Sequence, residues 1–168
     1  MTMSLIPDKT TFQNSLAMLP LETYQPGEIV IADGSRTGRL LILKKGNVAI
    51  VKNGHEIAKV KEPGAVFGEL SVLLDQPHAA DVRSLETSLF HVADASTLLT
   101  QNPIAVLYVA TMLAQRLNGA NHALIELKNQ LLTGEPRSVV DQTVSKMEEF
   151  LIASSSLVYS GYPSDPYA

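Results

Sequence analysis

Hydrophobic and polar residues alternate over short distances in the first two thirds of the chain. Between about residues 20 and 93, brief β-rich runs are separated by glycine-containing turns. The pair Asn53 and Gly54 separates two of these runs and predicts a tight type I′ hairpin, because both central positions need positive φ. The runs that predict strands cover residues 28–32, 39–43, 47–52, 56–61, 80–83 and 88–92. Strands this short and this regularly spaced predict a compact β-barrel or jelly roll.

Helical spacing replaces this pattern on both sides of the β-rich segment. Residues 11–19 place apolar side chains on one helical face and predict a short helix that Pro20 ends. After residue 92, Asp94 is suited to cap a helix and Pro103 to occupy a first helical turn. A further helix is predicted from about residue 138 to residue 153.

A heptad pattern runs through residues 103–132. Its two seam positions are apolar throughout: Ala110, Leu117, Leu124 and Leu131 at one, and Val106, Leu113, Ala120 and Leu127 at the other. A seam that continues for four heptads predicts a homodimer through this helix, with the core helix of a monomer as the alternative. Gly134 and Pro136 then break the helix, because glycine supports a left-handed cap and proline cannot continue the hydrogen-bond ladder.

These patterns divide the chain into three parts. We expect an N-terminal extension over residues 1–10, a domain with its long helix over 11–132, and a short helix with a tail over 133–168. The tail, SSSLVYSGYPSDPYA, is rich in Ser, Pro and Gly and is typical of a mobile or attachment segment.

Composition narrows the classes of function. With 168 residues, of which 45% are hydrophobic, the chain can form one substantial core, and its net charge of −4 disfavours nucleic acid as the main partner. It has no cysteine, which removes disulfides, thiolate metal sites and thiol nucleophiles together. Neither a bilayer-spanning apolar run nor a signal-peptide pattern is present, so we expect a cytoplasmic protein without a membrane contact.

The candidate chemistry lies in residues 63–83, PGAVFGELSVLLDQPHAADVR. Gly68 allows a close approach of the backbone, and the short helix predicted after it has free N–H groups that can receive an anion. Glu69 stands at the start of that helix, where its carboxylate can accept a hydrogen bond from a ribose hydroxyl.

This segment resembles the phosphate-binding cassette of the cyclic-nucleotide-binding domain family, the effector-domain family of catabolite activator proteins. That pattern reads approximately F-G-E-[LI]-[AS]-L-L, a few residues, then P-R-[AST]-A-[ST]-V. The matching residues are Phe67, Gly68, Glu69, Leu70, Ser71, Leu73, Leu74, Pro77, Ala79, Ala80 and Val82. The resemblance covers about residues 11–132 and implies an α+β fold. This fold is an antiparallel β-barrel of the jelly-roll type, flanked by helices and followed by a long C-terminal dimerisation helix.

The resemblance also implies a binding site for cyclic AMP or cyclic GMP, with no cofactor and no metal. In the family, the glutamate that matches Glu69 binds the ribose 2′-hydroxyl, and the backbone N–H groups that match those of Gly68, Glu69 and Leu70 hold the cyclic phosphate. The family's phosphate-binding arginine is replaced here by His78. Because a histidine is mostly neutral at pH 7 and gives one contact where arginine gives two, we expect weaker binding. Arg83, five residues further along, is expected on the opposite face of its strand.

Two residues of the long helix complete the expected site. Arg116 and Asn121 align with positions from which bacterial family members reach the nucleotide, although both could equally flank the dimer seam. The expected ligand-binding residues are Phe67, Gly68, Glu69, Leu70, Ser71, His78, Ala79, Ala80, Arg116 and Asn121.

No enzyme is predicted. Metal catalysis needs clustered ligands, whereas the four histidines stand apart, and no G-x-S-x-G elbow supports serine catalysis. The residues after Leu132 are too few for a winged helix-turn-helix domain, and only Arg137 and Lys146 are basic among them, so direct DNA binding is not expected. Two hypotheses remain: a regulatory sensor of a cyclic nucleotide or related small anion, and a dimeric interaction scaffold with a degenerate pocket. In both, the output passes through a protein partner.

Overall fold

A computed structural model describes residues 7–152. The predicted tail, at 154–168, the predicted last residue of the final helix, Ala153, and most of the predicted N-terminal extension lie outside this range. The helices and strands in chain order are α1 (Lys9–Ser15), β1 (Leu21–Tyr24), β2 (Ile29–Ile31), β3 (Arg39–Lys45), β4 (Val48–Lys52), β5 (His55–Val60), β6 (Val66–Phe67), α2 (Glu69–Leu73), β7 (Asp81–Ser84), β8 (Ser88–Asp94), α3 (Ala95–Gln101), α4 (Pro103–Thr133) and α5 (Arg137–Ile152).

The strands pair into two antiparallel sheets. One sheet has the order β1-β8-β3-β6 and the other β2-β7-β4-β5. Each predicted strand run has its counterpart, and the predicted hairpin joins β4 to β5, with φ of 52° at Asn53 and 77° at Gly54. The predicted fold class, antiparallel β-structure with flanking helices and one long helix, is therefore confirmed.

The main core lies between the two sheets. Side chains from both inner faces meet there with less than a tenth of their surface exposed, and Phe90 is fully buried. The ring of Phe67 contacts that of Phe90 edge-on, with centroids 6.0 Å apart. This packing fixes β6, so the residues that follow Phe67 leave the core at a defined point.

A second core joins the helices to the outer face of the β3-containing sheet. It contains Leu40 and Ile42 from β3, Phe12 from α1, Leu16 directly after α1, and Val109 from α4. The middle of β3, residues 40–43, is consequently buried on both faces. This second core holds α4 against the barrel, which places the middle of α4 near the start of α2.

Helix α4 begins and ends as the sequence predicts. Pro103 is in its first turn, the side chain of Asn102 accepts a hydrogen bond from the N–H of Ala105, and Gly134 caps the C-terminus with φ of 70°. One face of the helix is buried in the chain, and it consists of Ala105, Val109, Met112, Arg116, Ala120 and Ala123. Within residues 7–152 no single helix is long and apolar enough to span a membrane; α3 and α4 together would meet that test, but they are bent by 105°.

Helix α5 packs along α4 and contacts β5. The ring of Phe150 lies so close to α4 that a Cβ atom added at Gly119 would be 2.6 Å from it. Glycine at position 119 therefore permits the two helices to approach, and the end of α5 comes to lie beside the barrel.

Candidate functional site

A cavity opens where β6, α2 and the loop after α2 meet α4 and α5. Its volume is about 130 Å³. Small-molecule sites have volumes of roughly 300–1,000 Å³, so a nucleotide-sized ligand would have to displace part of the present lining. Its lining residues are Ile31, Ile50, Val66, Phe67, Gly68, Glu69, Leu70, Ser71, Gln76, Pro77, His78, Ala79, Ala80, Val82, Arg116 and Leu151.

Gly68 forms the corner between β6 and α2. Its φ is 94°, in the left-handed region, and a Cβ atom there would lie 2.5 Å from the carbonyl oxygen of Arg39. Both observations require glycine at this position. The corner turns the chain directly into α2, so Glu69 becomes the first residue of the helix and points into the cavity wall.

Glu69 forms a buried ion pair with Arg116. The guanidinium Nη1 of Arg116 donates to Oε1 of the Glu69 carboxylate at 2.5 Å, and the side chains of Arg116 and Glu69 are 8% and 5% exposed, respectively. These residues are 47 positions apart in sequence. The pair therefore ties α2 to α4 across the cavity and compensates the negative charge of Glu69.

His78 is held by the loop between β2 and β3. Its backbone N–H donates to the carbonyl of Ser35 at 2.9 Å, and its own carbonyl accepts from the N–H of Gly34 at 2.8 Å. The ring Nε2 shares a 3.0 Å hydrogen bond with the hydroxyl of Thr37. These three contacts fix the imidazole in the wall of the cavity.

The ring of His78 is neutral at pH 7. Burial lowers its pKa below the ordinary value of 6.5, and the nearby carboxylate of Glu69 opposes this effect only in part. A neutral imidazole has one donor and one acceptor, and it provides no positive charge for an anion.

The loop between α2 and β7 closes back on α2. The hydroxyl of Ser71 donates to the carbonyl of Gln76 at 2.6 Å, and the N–H of Gln76 donates to the carbonyl of Ser71 at 3.0 Å. At the tip of the loop, Asp75 has φ of 49° and forms an exposed ion pair with Arg36. These contacts place His78, Ala79 and Ala80 opposite the start of α2.

The cavity brings together most of the residues that the sequence proposed. The eight cassette residues Phe67, Gly68, Glu69, Leu70, Ser71, His78, Ala79 and Ala80 line it, and so does Arg116. Asn121 is exposed on α4 and is not part of the lining, while Arg83 is exposed on β7, also outside the cavity.

Two contributions were not foreseen from the sequence. Thr37 contacts His78 across 41 positions, and Leu151 adds an apolar wall from α5. No local pattern indicates either of them, because both depend on which distant segments the fold places side by side.

Comparisons with known proteins agree with this architecture. The sequence profile of the family described as cyclic nucleotide-binding domain matches residues 21–100. A cGMP-dependent protein kinase of Plasmodium berghei is 34% identical over 68 residues, which are 40% of this chain and 8% of the kinase. A cAMP-dependent protein kinase regulatory subunit of Hypocrea atroviridis is 31% identical over 80 residues, 46% of this chain and 17% of that protein. The chain thus spans less than a fifth of the length of these relatives.

Among solved structures, the catabolite activator protein of Thermus thermophilus shares the fold. It is 21% identical, with a TM-score of 0.55, and the match covers 87% of this chain and 85% of that one. The profile match, the two antiparallel sheets and the corner at Gly68 lead to the same conclusion. Residues 21–100 of this chain match the cyclic nucleotide-binding domain family.

Proposed function

We propose that this chain is a non-enzymatic regulatory sensor that binds a cyclic nucleotide, cyclic AMP or cyclic GMP, or a related small anion. The observation that carries the proposal is the cavity itself, in which the cassette residues from Phe67 to Ala80 meet Arg116 of the long helix. Glu69 supplies an acceptor for a ribose hydroxyl, and the apolar residues around it supply a surface for a base.

Binding at pH 7 is expected to be weak. The guanidinium of Arg116 is already paired with Glu69 at 2.5 Å, and the neutral ring of His78 offers a phosphate one hydrogen bond. Calorimetric titration of the whole chain with cyclic AMP and cyclic GMP tests the proposal. A heat of binding for either nucleotide supports it, and no binding of either at millimolar concentration would refute it.

The second candidate function is a dimeric interaction scaffold with a degenerate pocket. The exposed leucines of α4 favour it: Leu117, Leu124 and Leu131 are 60%, 53% and 65% exposed. They share one stripe with Val106, which is 39% exposed. Exposed large apolar side chains in a continuous stripe are typical of an interface. In either function the output reaches a protein partner, and we expect no direct contact with DNA.

The stripe on α4 predicts a homodimer. Five of the eight seam positions are exposed, namely Val106, Ala110, Leu117, Leu124 and Leu131, while Ala120 is buried within the chain. Replacing both Leu117 and Leu124 by Asp should raise the dissociation constant of the dimer at least tenfold, because charge is then placed in an apolar seam.

Light scattering at micromolar concentration measures this effect, since the wild type should have the mass of two 18.1-kDa chains. The matched control is Leu73→Asp with Leu74→Asp, two exposed leucines at the end of α2, which should leave the mass unchanged. A monomeric wild type would contradict the prediction.

The affinity for a cyclic nucleotide should increase as the pH falls. A phosphate opposite His78 favours the imidazolium ion, so the pKa of His78 is higher in the complex than in the free protein, where burial lowers it. The affinity therefore begins to rise once the pH falls below the pKa of His78 in the complex, and it levels off below the pKa of His78 in the free protein. Between these two values the affinity rises by at most about tenfold per pH unit. The groups that face His78 are Thr37, Glu69 and, through Glu69, Arg116.

Nucleotide affinity measured between about pH 5.5 and 8 tests this dependence, since that range brackets the ordinary pKa of histidine. His78→Gln should abolish the slope, whereas Arg83→Gln, on the neighbouring strand and outside the cavity, should retain it. A slope that persists in His78→Gln would show that another group is responsible.

A further inference from the structure

The charges that line the cavity sum to zero at pH 7. Glu69, His78 and Arg116 are the ionisable side chains among the lining residues that the structure describes. The carboxylate and the guanidinium form one ion pair at 2.5 Å with both side chains more than nine-tenths buried, and the imidazole is uncharged. The described wall therefore provides no uncompensated cation for a bound anion.

The rest of the wall is largely apolar. It includes Ile31, Ile50 and Val82 from one sheet and Leu151 from α5. A phosphate group that enters such a site leaves water without gaining an opposite charge, and the desolvation of an unpaired anion is costly. A ligand with the same base and sugar but without the phosphate avoids this cost.

The polar groups of the wall suit hydroxyls. The carboxylate of Glu69 accepts hydrogen bonds, and the neutral ring of His78 has one donor and one acceptor nitrogen, of which Nε2 is paired with the hydroxyl of Thr37 at 3.0 Å. A nucleoside presents free 2′, 3′ and 5′ hydroxyls, whereas a 3′,5′-cyclic nucleotide has only the 2′ hydroxyl. The uncharged ring of His78 can pair with such a hydroxyl without the cost of a buried charge.

We propose that this cavity binds neutral ribonucleosides in preference to the corresponding 3′,5′-cyclic nucleotides. The inference rests on the proposed function, because it concerns the same site and changes only the chemical class of its best ligand. Recognition is through the base and the sugar. The neutral wall discriminates against the phosphate.

Calorimetry on the whole chain at pH 7.5 tests the preference with four probes: adenosine, guanosine, cyclic AMP and cyclic GMP. At least one nucleoside should bind about tenfold more tightly than its own cyclic monophosphate. If a cyclic nucleotide binds as tightly as its nucleoside or more so, the inference is overturned while the proposed function stands. If none of the four binds, both fail.

The pH dependence provides a second readout. A nucleoside carries no charge between pH 5.5 and 8, so its affinity should stay constant within about twofold, while that of the cyclic nucleotide rises as the pH falls. The ratio of the nucleoside affinity to the cyclic-nucleotide affinity should therefore decrease as the pH falls. Glu69→Gln keeps the shape of the side chain but removes its charge, and it should weaken nucleoside binding about tenfold by removing a charged acceptor.

If Glu69 only stabilised the fold, the protein would bind adenosine and 2′-deoxyadenosine with equal affinity. In the wild type, removal of a sugar hydroxyl that contacts Glu69 should weaken binding about tenfold, and in Glu69→Gln this difference should fall to less than threefold. Equal binding of adenosine, 2′-deoxyadenosine and 3′-deoxyadenosine by the wild type would overturn the assignment of the sugar to Glu69.

Discussion

Replacing His78 by arginine is expected to raise the affinity for cyclic AMP or cyclic GMP by roughly 30-fold to 1,000-fold at pH 7.5. A charge-assisted, bidentate contact with a phosphate is worth on the order of 2–4 kcal/mol, which corresponds to this range. The backbone around position 78 is fixed by hydrogen bonds from the 34–35 loop, so a guanidinium placed there starts from a defined position. The other cassette residues already line the cavity.

The matched control is an arginine added outside the cavity. Thr87→Arg lies in the exposed turn between β7 and β8 and changes the net charge of the protein equally. It should raise nucleotide affinity by less than twofold at physiological ionic strength, because exposed charges beyond about 8 Å are screened. Adenosine should gain nothing from His78→Arg, since it has no charge to pair. An equal gain for adenosine and cyclic AMP would contradict the phosphate contact.

Features with a local cause were predicted correctly from the sequence. The hairpin at Asn53 and Gly54 is an example, because positive φ at two adjacent positions is encoded by those two residues themselves. Asp94 accepts a hydrogen bond from the N–H of Thr97 at the start of α3, and Gly134 ends α4 in the left-handed region. In each case a side chain, or its absence, determines the local backbone.

Strands β1 and β6 were not predicted. The four residues of β1 show only weak alternation, and β6 is two residues long. Both exist because they pair with neighbours distant in sequence, β1 with β8 and β6 with β3. Helix α1 starts two residues before its predicted position, because Asp8 caps it by accepting from the N–H of Thr11, and it ends at Ser15, four residues earlier than predicted. Residue propensities predict strands and helix ends poorly where pairing between distant strands or a capping side chain determines them.

The candidate site likewise has a part that could be predicted from local sequence and a part that depends on contacts between distant segments. The cassette is contiguous in sequence, so its resemblance to a family pattern located eight lining residues together. The partners of the cassette are distant, and sequence alone did not show that Thr37 contacts His78 or that Leu151 closes the wall. Arg116 was proposed as a nucleotide contact, and its observed partner is Glu69.

Replacing Arg116 by methionine is expected to lower the free energy of unfolding by about 3–5 kcal/mol at pH 7. The reason is that Glu69, only 4% exposed, then remains buried without its cation, and an uncompensated buried charge has a cost of this size. Methionine keeps most of the volume and flexibility of the side chain, so little of the loss comes from a cavity. Urea unfolding followed by circular dichroism, at a fixed chain concentration, measures the difference.

The double variant Glu69→Gln with Arg116→Met separates the ion pair from the other contacts of Arg116. Removal of both charges should recover at least 1–2 kcal/mol relative to Arg116→Met alone, because no buried charge remains. The matched surface control is Arg39→Met, whose ion pair with Glu22 is more than a third exposed on both sides and should contribute less than about 1 kcal/mol. If Arg116→Met destabilises the protein no more than Arg39→Met, the Glu69–Arg116 pair is not desolvated. The charge-neutral wall inferred for the cavity would then lose its principal support.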